Sequence, residues 1–171
     1  ASHIPFASLT NEIFCVTFNG LSKSHRIPGM RAGWMIVSGK KGLAKDYLEE
    51  GLDTLSNMRM CGNMAGQLAI QTALGGYQSL RQMLAPGGRL YEQRKAAYEG
   101  FSSIPGITCV KPMGALYLFP KIDVERYNIR DDQKFLLDFL TDKKVLMVQG
   151  TGFNWPAADH FRVVFLPTVE E

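Results

Sequence analysis

Lys23 and Arg31 are the residues whose types and spacing could do chemistry together. The stretch that holds them reads Phe18-Asn19-Gly20-Leu21-Ser22-Lys23-Ser24-His25-Arg26-Ile27-Pro28-Gly29-Met30-Arg31-Ala32-Gly33-Trp34. A lysine amine condenses with an aldehyde, and an arginine fork binds a phosphate through two parallel hydrogen bonds. A lysine at the mouth of a strand, with an arginine eight residues on, is therefore what an enzyme needs to hold an anionic aldehyde cofactor. Gly20, Gly29 and Gly33 punctuate the stretch, and glycine permits close backbone approach and positive φ in tight turns. The same residues also read as an ordinary solvated basic loop, and their types alone leave both readings open.

Positioning this pair falls to the elements on either side. Glu12 to Phe18 is β-rich and loosely alternating, which predicts a buried strand. Residues 22–33 read as a glycine-punctuated loop, and 33–37 as a second strand closed by Ser38-Gly39. Residues 40 to about 58 predict a helix, with Leu43, Tyr47, Leu48, Leu52 and Leu55 on one stripe. A second helix is expected over 63–74, stopped by Gly75-Gly76, and a short one over 77–84. Pro86-Gly87-Gly88 is the best candidate boundary. Beyond it lie a charged helix from Arg89 to about Ser103 and strands at 107–110 and 115–119. A helix follows over 132–142 with Phe135, Leu136, Phe139 and Leu140 inward, then strands at 145–148 and 161–165. The first part is strand and helix. The second is α+β, with helices against a small sheet.

Composition narrows the function classes. The chain has 171 residues, 46% of them hydrophobic and 20% charged, enough for a core and too apolar for disorder. Net charge is +3 and the pI about 8.8, without the clustered basic stripe that nucleic-acid binding wants. No apolar stretch is long enough to span a bilayer. Cys15, Cys61 and Cys109 are odd in number, far apart and set among apolar neighbours, which predicts buried free thiols in a reducing compartment. Neither they nor the isolated His3, His25 and His160 have metal-ligand spacing. Ser38-Gly39-Lys40 lacks the earlier glycine of a phosphate loop, since position 34 is Trp34. Met58, Met60 and Met64 could line a cleft but read more simply as core filler. His25 and Arg26 read as active-site charges or as solvated loop residues. Arg162 lies between Phe161 and Val163, so alternation turns it to the opposite strand face, toward a site or toward solvent.

The motifs FNGLSK (18–23), PGMRAGW (28–34), QLAIQTALGGYQS (67–79), GGRLYEQR (87–94), KPMGALYLFPKID (111–123) and VLMVQGTGFNWP with DHFR (145–162) together resemble class I, fold-type I pyridoxal-phosphate aminotransferases. The likeness is strongest to the bacterial alanine (glutamate–pyruvate) group. It covers nearly the whole chain and looks like the C-terminal portion of such an enzyme. The resemblance implies an α/β fold. Residues 1–86 would complete the edge of a mostly parallel, cofactor-binding large-domain sheet, and 87–171 would form a small α+β domain. It implies Lys23 as the Schiff-base lysine and proton carrier, Arg31 as a phosphate ligand and Ser22 as a hydroxyl near the phosphate. Many members have serine three residues before the lysine, where this chain has Gly20. The resemblance also implies Arg162 as the grip for the substrate α-carboxylate, and Gly114, Ala115 and Tyr117 as a segment approaching substrate. Read from the residues, Gly114-Ala115 and Tyr117 are a tight turn feeding a core strand.

The implied activity is transfer of an amino group between an amino acid and a 2-oxo acid by a cytoplasmic homodimer using pyridoxal 5′-phosphate, with no metal, nucleic acid or membrane partner. The rivals are a lyase, decarboxylase or racemase on the same fold, and a non-catalytic small-domain fragment. The sequence opens on loop-type residues and closes after a strand, as a piece of a longer protein would. Family members carry upstream a glycine-rich phosphate cup, a ring-stacking aromatic and an aspartate for the pyridine nitrogen. Without them the fragment alone is expected to be inactive.

Overall fold

The computed structural model describes residues 3–40, 42–44 and 47–170. Contacts divide the chain into two units, Ala1–Gln78 and Ser79–Glu171. In the first unit β1 (Cys15–Gly20) and β2 (Gly33–Ser38) form a two-stranded antiparallel ribbon, in register from Cys15 opposite Ser38 to Gly20 opposite Gly33. The expected first strand is displaced toward the C-terminus. At its start the chain turns through Gly39 with φ +77°, where a Cβ would collide with the Ile13 carbonyl oxygen, and pairing begins at Cys15. At its end the ribbon continues to Gly20 because two glycines face each other. A Cβ on Gly20 would lie 3.0 Å from Ala32 O, and one on Gly33 would lie 2.8 Å from Asn19 O.

The expected loop over 22–33 contains one helical turn, α1 (Leu21–Ser24), and a 3-10 turn at Pro28–Met30. Proline suits that first helical position because its φ is preset and its missing N–H is not needed. The helix expected over 40–58 is broken. A 3-10 turn spans Gly42–Ala44, a π-helical turn Tyr47–Leu52, and α2 only Asp53–Asn57. Gly42 and Gly51 weaken helix locally. Residues 41, 45 and 46, and the side chains of Leu43 and Tyr47 in the expected stripe, lie outside the described residues. Leu48 and Leu52 are half-buried, while Leu55 is exposed. Next, α3 (Met64–Gly75) starts at an Asn63 cap and stops at Gly76. Leu21 is the fully buried apolar side chain of this unit among the described residues.

The second unit opens with α4 (Leu80–Leu84), which packs on α5 (Arg89–Ser103). β3 (Ile107–Thr108) pairs with β5 (Lys121–Ile122), a strand the sequence reading did not include. β4 (Tyr117–Leu118), β7 (Phe161–Val164) and β6 (Val148–Gln149) form an antiparallel sheet in that order. α6 (Asp132–Lys143) is capped by Asp131, whose Oδ1 accepts from Lys134 N at 2.9 Å. The core gathers Ile122, Ile129, Leu136 and Phe161, with Phe101, Phe135 and Val163 against it. Each fully buried side chain of this size contributes about 1.5–3 kcal/mol.

Three burial expectations fail. The strand expected to be buried has no buried residue, and Phe18 in it is exposed. Cys61 is exposed and Cys15 and Cys109 are only half-buried, all three as free thiols. Met58, Met60 and Met64 are exposed and fill no core. No helix among the described residues is long and apolar enough to cross a membrane.

Candidate active site

Lys23 and Arg31 leave the same end of the ribbon. Beyond the Gly20–Gly33 pair, Leu21 N donates to Ala32 O at 3.0 Å. Lys23 follows that bond by two residues and Arg31 precedes it by one. The buried Leu21 side chain is the pin of the α1 turn, and its carbonyl accepts from His25 N at 3.2 Å. Ser24 Oγ closes the turn by donating to Gly20 O at 2.7 Å. His25 is neither an open loop residue nor an exposed charge. It is half-buried, its Nε2 donates to Ala73 O of α3 at 3.0 Å, and its Nδ1 lies 2.9 Å from Ser24 Oγ. The lysine turn is thus fixed to the ribbon on one side and to α3 on the other. Lys23 is exposed and the preceding Ser22 half-buried.

Arg31 has φ 46° and ψ 39°, a left-handed conformation that costs an L-residue about 1–2 kcal/mol. Its Nη1 donates to Pro28 O at 3.1 Å. That bond uses one of five guanidinium N–H groups on an exposed side chain. The peptide before it is held by Asn63, whose Nδ2 donates to Met30 O at 2.5 Å.

In the second unit Arg162 lies on the face of β7 away from the core. Phe161 is buried, Val163 packs on the core cluster, and Arg162 turns the other way, as alternation predicts. Its guanidinium carbon stands 4.8 Å from the Tyr117 ring centroid and 4.7 Å from that of Phe153. Such stacking is worth about 0.5–1 kcal/mol per exposed pair, and it fixes the guanidinium plane. Tyr117 is therefore not simply a core residue. The turn before it is tight, with Ala115 at φ 60°. Arg162 Nε is buried without a hydrogen-bond partner. Arg26 and Arg94 share that condition, so it is the two flanking rings that single out Arg162.

The rings are themselves supported. Phe119 meets Phe153 edge-on at 6.3 Å and stacks on His160 at 4.9 Å. Thr151, in the turn Gly150–Phe153, donates to buried Asp132 through N at 3.0 Å and Oγ1 at 2.8 Å. Asp159 accepts from His160 Nδ1 at 2.6 Å and Trp155 Nε1 at 3.0 Å, and pairs with Lys121 Nζ at 3.4 Å. Burial pushes the Asp159 carboxyl up, but the hydrogen bonds and charge of these partners outweigh it and hold the group below its ordinary 3.8.

The sequence reading missed Asn63, His25, Asp132 and Phe153 as supports. Asn63 and Asp132 carry the visible signal of polar residues at a helix start. Their second partners are distant in sequence and leave no mark there. No group of three His, Cys, Asp or Glu among the described residues could hold a metal ion.

The sequence model of the aminotransferase class I and II family matches residues 2–171, and the chain belongs to that family. It is 58% identical to the glutamate-pyruvate aminotransferase AlaA of Escherichia coli K12 over 171 residues, all of this chain and 42% of that protein. It is 53% identical to the alanine aminotransferase of Mycobacterium tuberculosis H37Rv over 167 residues, 98% of this chain and 39% of that one. A crystal structure of an aminotransferase from Escherichia coli superposes with a TM-score of 0.95 at 58% identity, covering 99% of this chain and 42% of that one. The alanine aminotransferase of Pyrococcus furiosus gives 0.88 at 37% identity, covering 99% and 42%. The chain thus spans less than half the length of these relatives, and its α/β architecture is that of fold-type I aminotransferases.

Proposed function

We propose that the protein to which this chain belongs is a pyridoxal-phosphate-dependent aminotransferase. It moves an amino group between an amino acid, alanine or glutamate, and a 2-oxo acid. Lys23 Nζ would hold the cofactor through its aldehyde carbon and would move the proton at the substrate Cα. Arg31, with the Ser22 hydroxyl, would hold the cofactor's phosphate. Arg162 takes the α-carboxylate through its planar fork. When bound, the cofactor supplies the electron sink for the reaction.

The observation that supports this reading is the closure of the ribbon by the Leu21–Ala32 hydrogen bond, which puts the backbones of Lys23 and Arg31 at one end of one element. The donor set suits the group: a lysine amine, a half-buried hydroxyl, and an exposed arginine with N–H groups to spare. For the carboxylate, the support is the Arg162 guanidinium held between two rings with Nε unpartnered. The reading includes a domain boundary at 86/87 between a large cofactor-binding domain and a small one, eight residues after the division by contacts at 78/79. It also includes a homodimer, and a cytoplasmic location suited to three free thiols.

The test is borohydride trapping of the full-length protein with its cofactor, followed by peptide mapping. A pyridoxyl group on Lys23 is expected, and label on Lys40 or Lys41 instead overturns the assignment. With alanine and 2-oxoglutarate the products should be pyruvate and glutamate. Ammonia in place of glutamate would make the enzyme a lyase.

A further inference from the structure

We propose that Asn63 is a positioning residue that sets the Arg31 guanidinium for the cofactor phosphate by holding the Met30 carbonyl. The inference rests on the reading of Arg31 above and adds a residue to it. The Asn63 side chain is used at both ends. Oδ1 accepts from Gly66 N at 3.1 Å and closes the first turn of α3. Nδ2 donates to Met30 O at 2.5 Å, across 33 positions of sequence. Met30 O and Arg31 N belong to one rigid peptide plane, and Arg31 N donates to Pro28 O at 3.2 Å. With that plane held, the left-handed backbone of Arg31 is set, and with it the direction in which the side chain leaves.

Helix α3 restrains the same peptide a second time. A Cβ on buried Gly66 would stand 2.5 Å from Met30 O and 3.1 Å from Ala32 Cβ. The first turn of α3 therefore comes close to the residues on both sides of Arg31, with room there for glycine alone. Capping alone explains an asparagine before α3. It does not explain an amide group aimed at the carbonyl that precedes the phosphate arginine. Aspartate caps as well as asparagine but has no donor at neutral pH, so Asn63→Asp separates the two uses.

The experiment compares affinities of the full-length apoprotein for pyridoxal 5′-phosphate and for pyridoxal, which lacks the phosphate, by absorbance titration. Asn63→Asp should weaken pyridoxal 5′-phosphate by up to about tenfold, the upper value of one neutral hydrogen bond. Pyridoxal affinity and helix content should be unchanged. Gly66→Ala should show the same selective loss, because the added methyl displaces the Met30 carbonyl. Arg31→Ala is the reference, and it should lose the preference for the phosphate form most. An Arg31→Ala protein that keeps the preference overturns the reading of Arg31 and the inference with it. A collapse in Arg31→Ala with wild-type preference in Asn63→Asp and Gly66→Ala overturns the inference alone. So does an equal loss for both ligands in those two variants, which would make Asn63 a folding residue only.

Discussion

Arg162 packs its guanidinium against two rings, Tyr117 and Phe153, and that is where its role is most easily tested. Arg162→Lys keeps the charge but loses both the stacking plane and the two-bond fork. In the full-length enzyme the change should raise KM for alanine and glutamate by roughly one to two decades, about 1.5–3 kcal/mol for a charge-assisted pair. Cofactor absorbance should be intact. Unchanged kinetics would show that Arg162 is held between Tyr117 and Phe153 for stability alone. The direction of Arg162 was legible in the sequence, because Phe161 and Val163 mark the core face of a strand with period two. The rings were not. Tyr117 and Phe153 come from elements far apart in the chain, and period two says nothing about what meets a side chain on its outer face.

The element that presents Phe153 is a four-residue turn, and it is bolted to α6. Asp132 takes two hydrogen bonds from Thr151 while sitting at a helix start, where an acid also suits the dipole. Asp132→Ala removes both acceptors and should cost about 1–3 kcal/mol in stability, read as a lower denaturation midpoint. If the bolt also aims Phe153 at Arg162, KM for the amino acid rises while cofactor affinity stays. Lost stability with unchanged KM would make the contact purely structural. Elements of this kind divide by length in how far sequence discloses them. The ends of α5 were readable, since Gly88 precedes it and Pro105-Gly106 follows. Two-residue strands such as β5 have no periodicity to read, and pairing alone defines them. The helix expected over 40–58 failed for the opposite reason, because its apolar stripe was visible but Gly42 and Gly51 let the backbone depart from α geometry.

Across the whole molecule the two units differ in how much they bury. Among the described residues Leu21 is the buried apolar residue of the first unit, and the other seven belong to the second. Phe18, Met60 and Leu68 in the first are 75%, 93% and 67% exposed. The chain spans 42% of the length of its Escherichia coli relative, so these surfaces suit burial by a longer polypeptide. When the 171-residue chain is expressed alone, limited proteolysis should cut first before residue 79 and leave the second unit resistant, because few buried contacts means easy local opening. Early cleavage within 89–165 with the first unit intact would contradict this.

The closed ribbon end has a consequence for chain length. The segment from Leu21 to Ala32 is closed at its ends by one hydrogen bond, Leu21 N to Ala32 O. Inserting or deleting a single residue between Gly20 and Lys23 should rotate Lys23 about the helical turn by about 100°. Side chains at 27 to 29, exposed as they are, tolerate replacement far better than a change in their number. On the proposed reading, the count of residues from lysine to arginine works as a ruler beside the two side chains it separates.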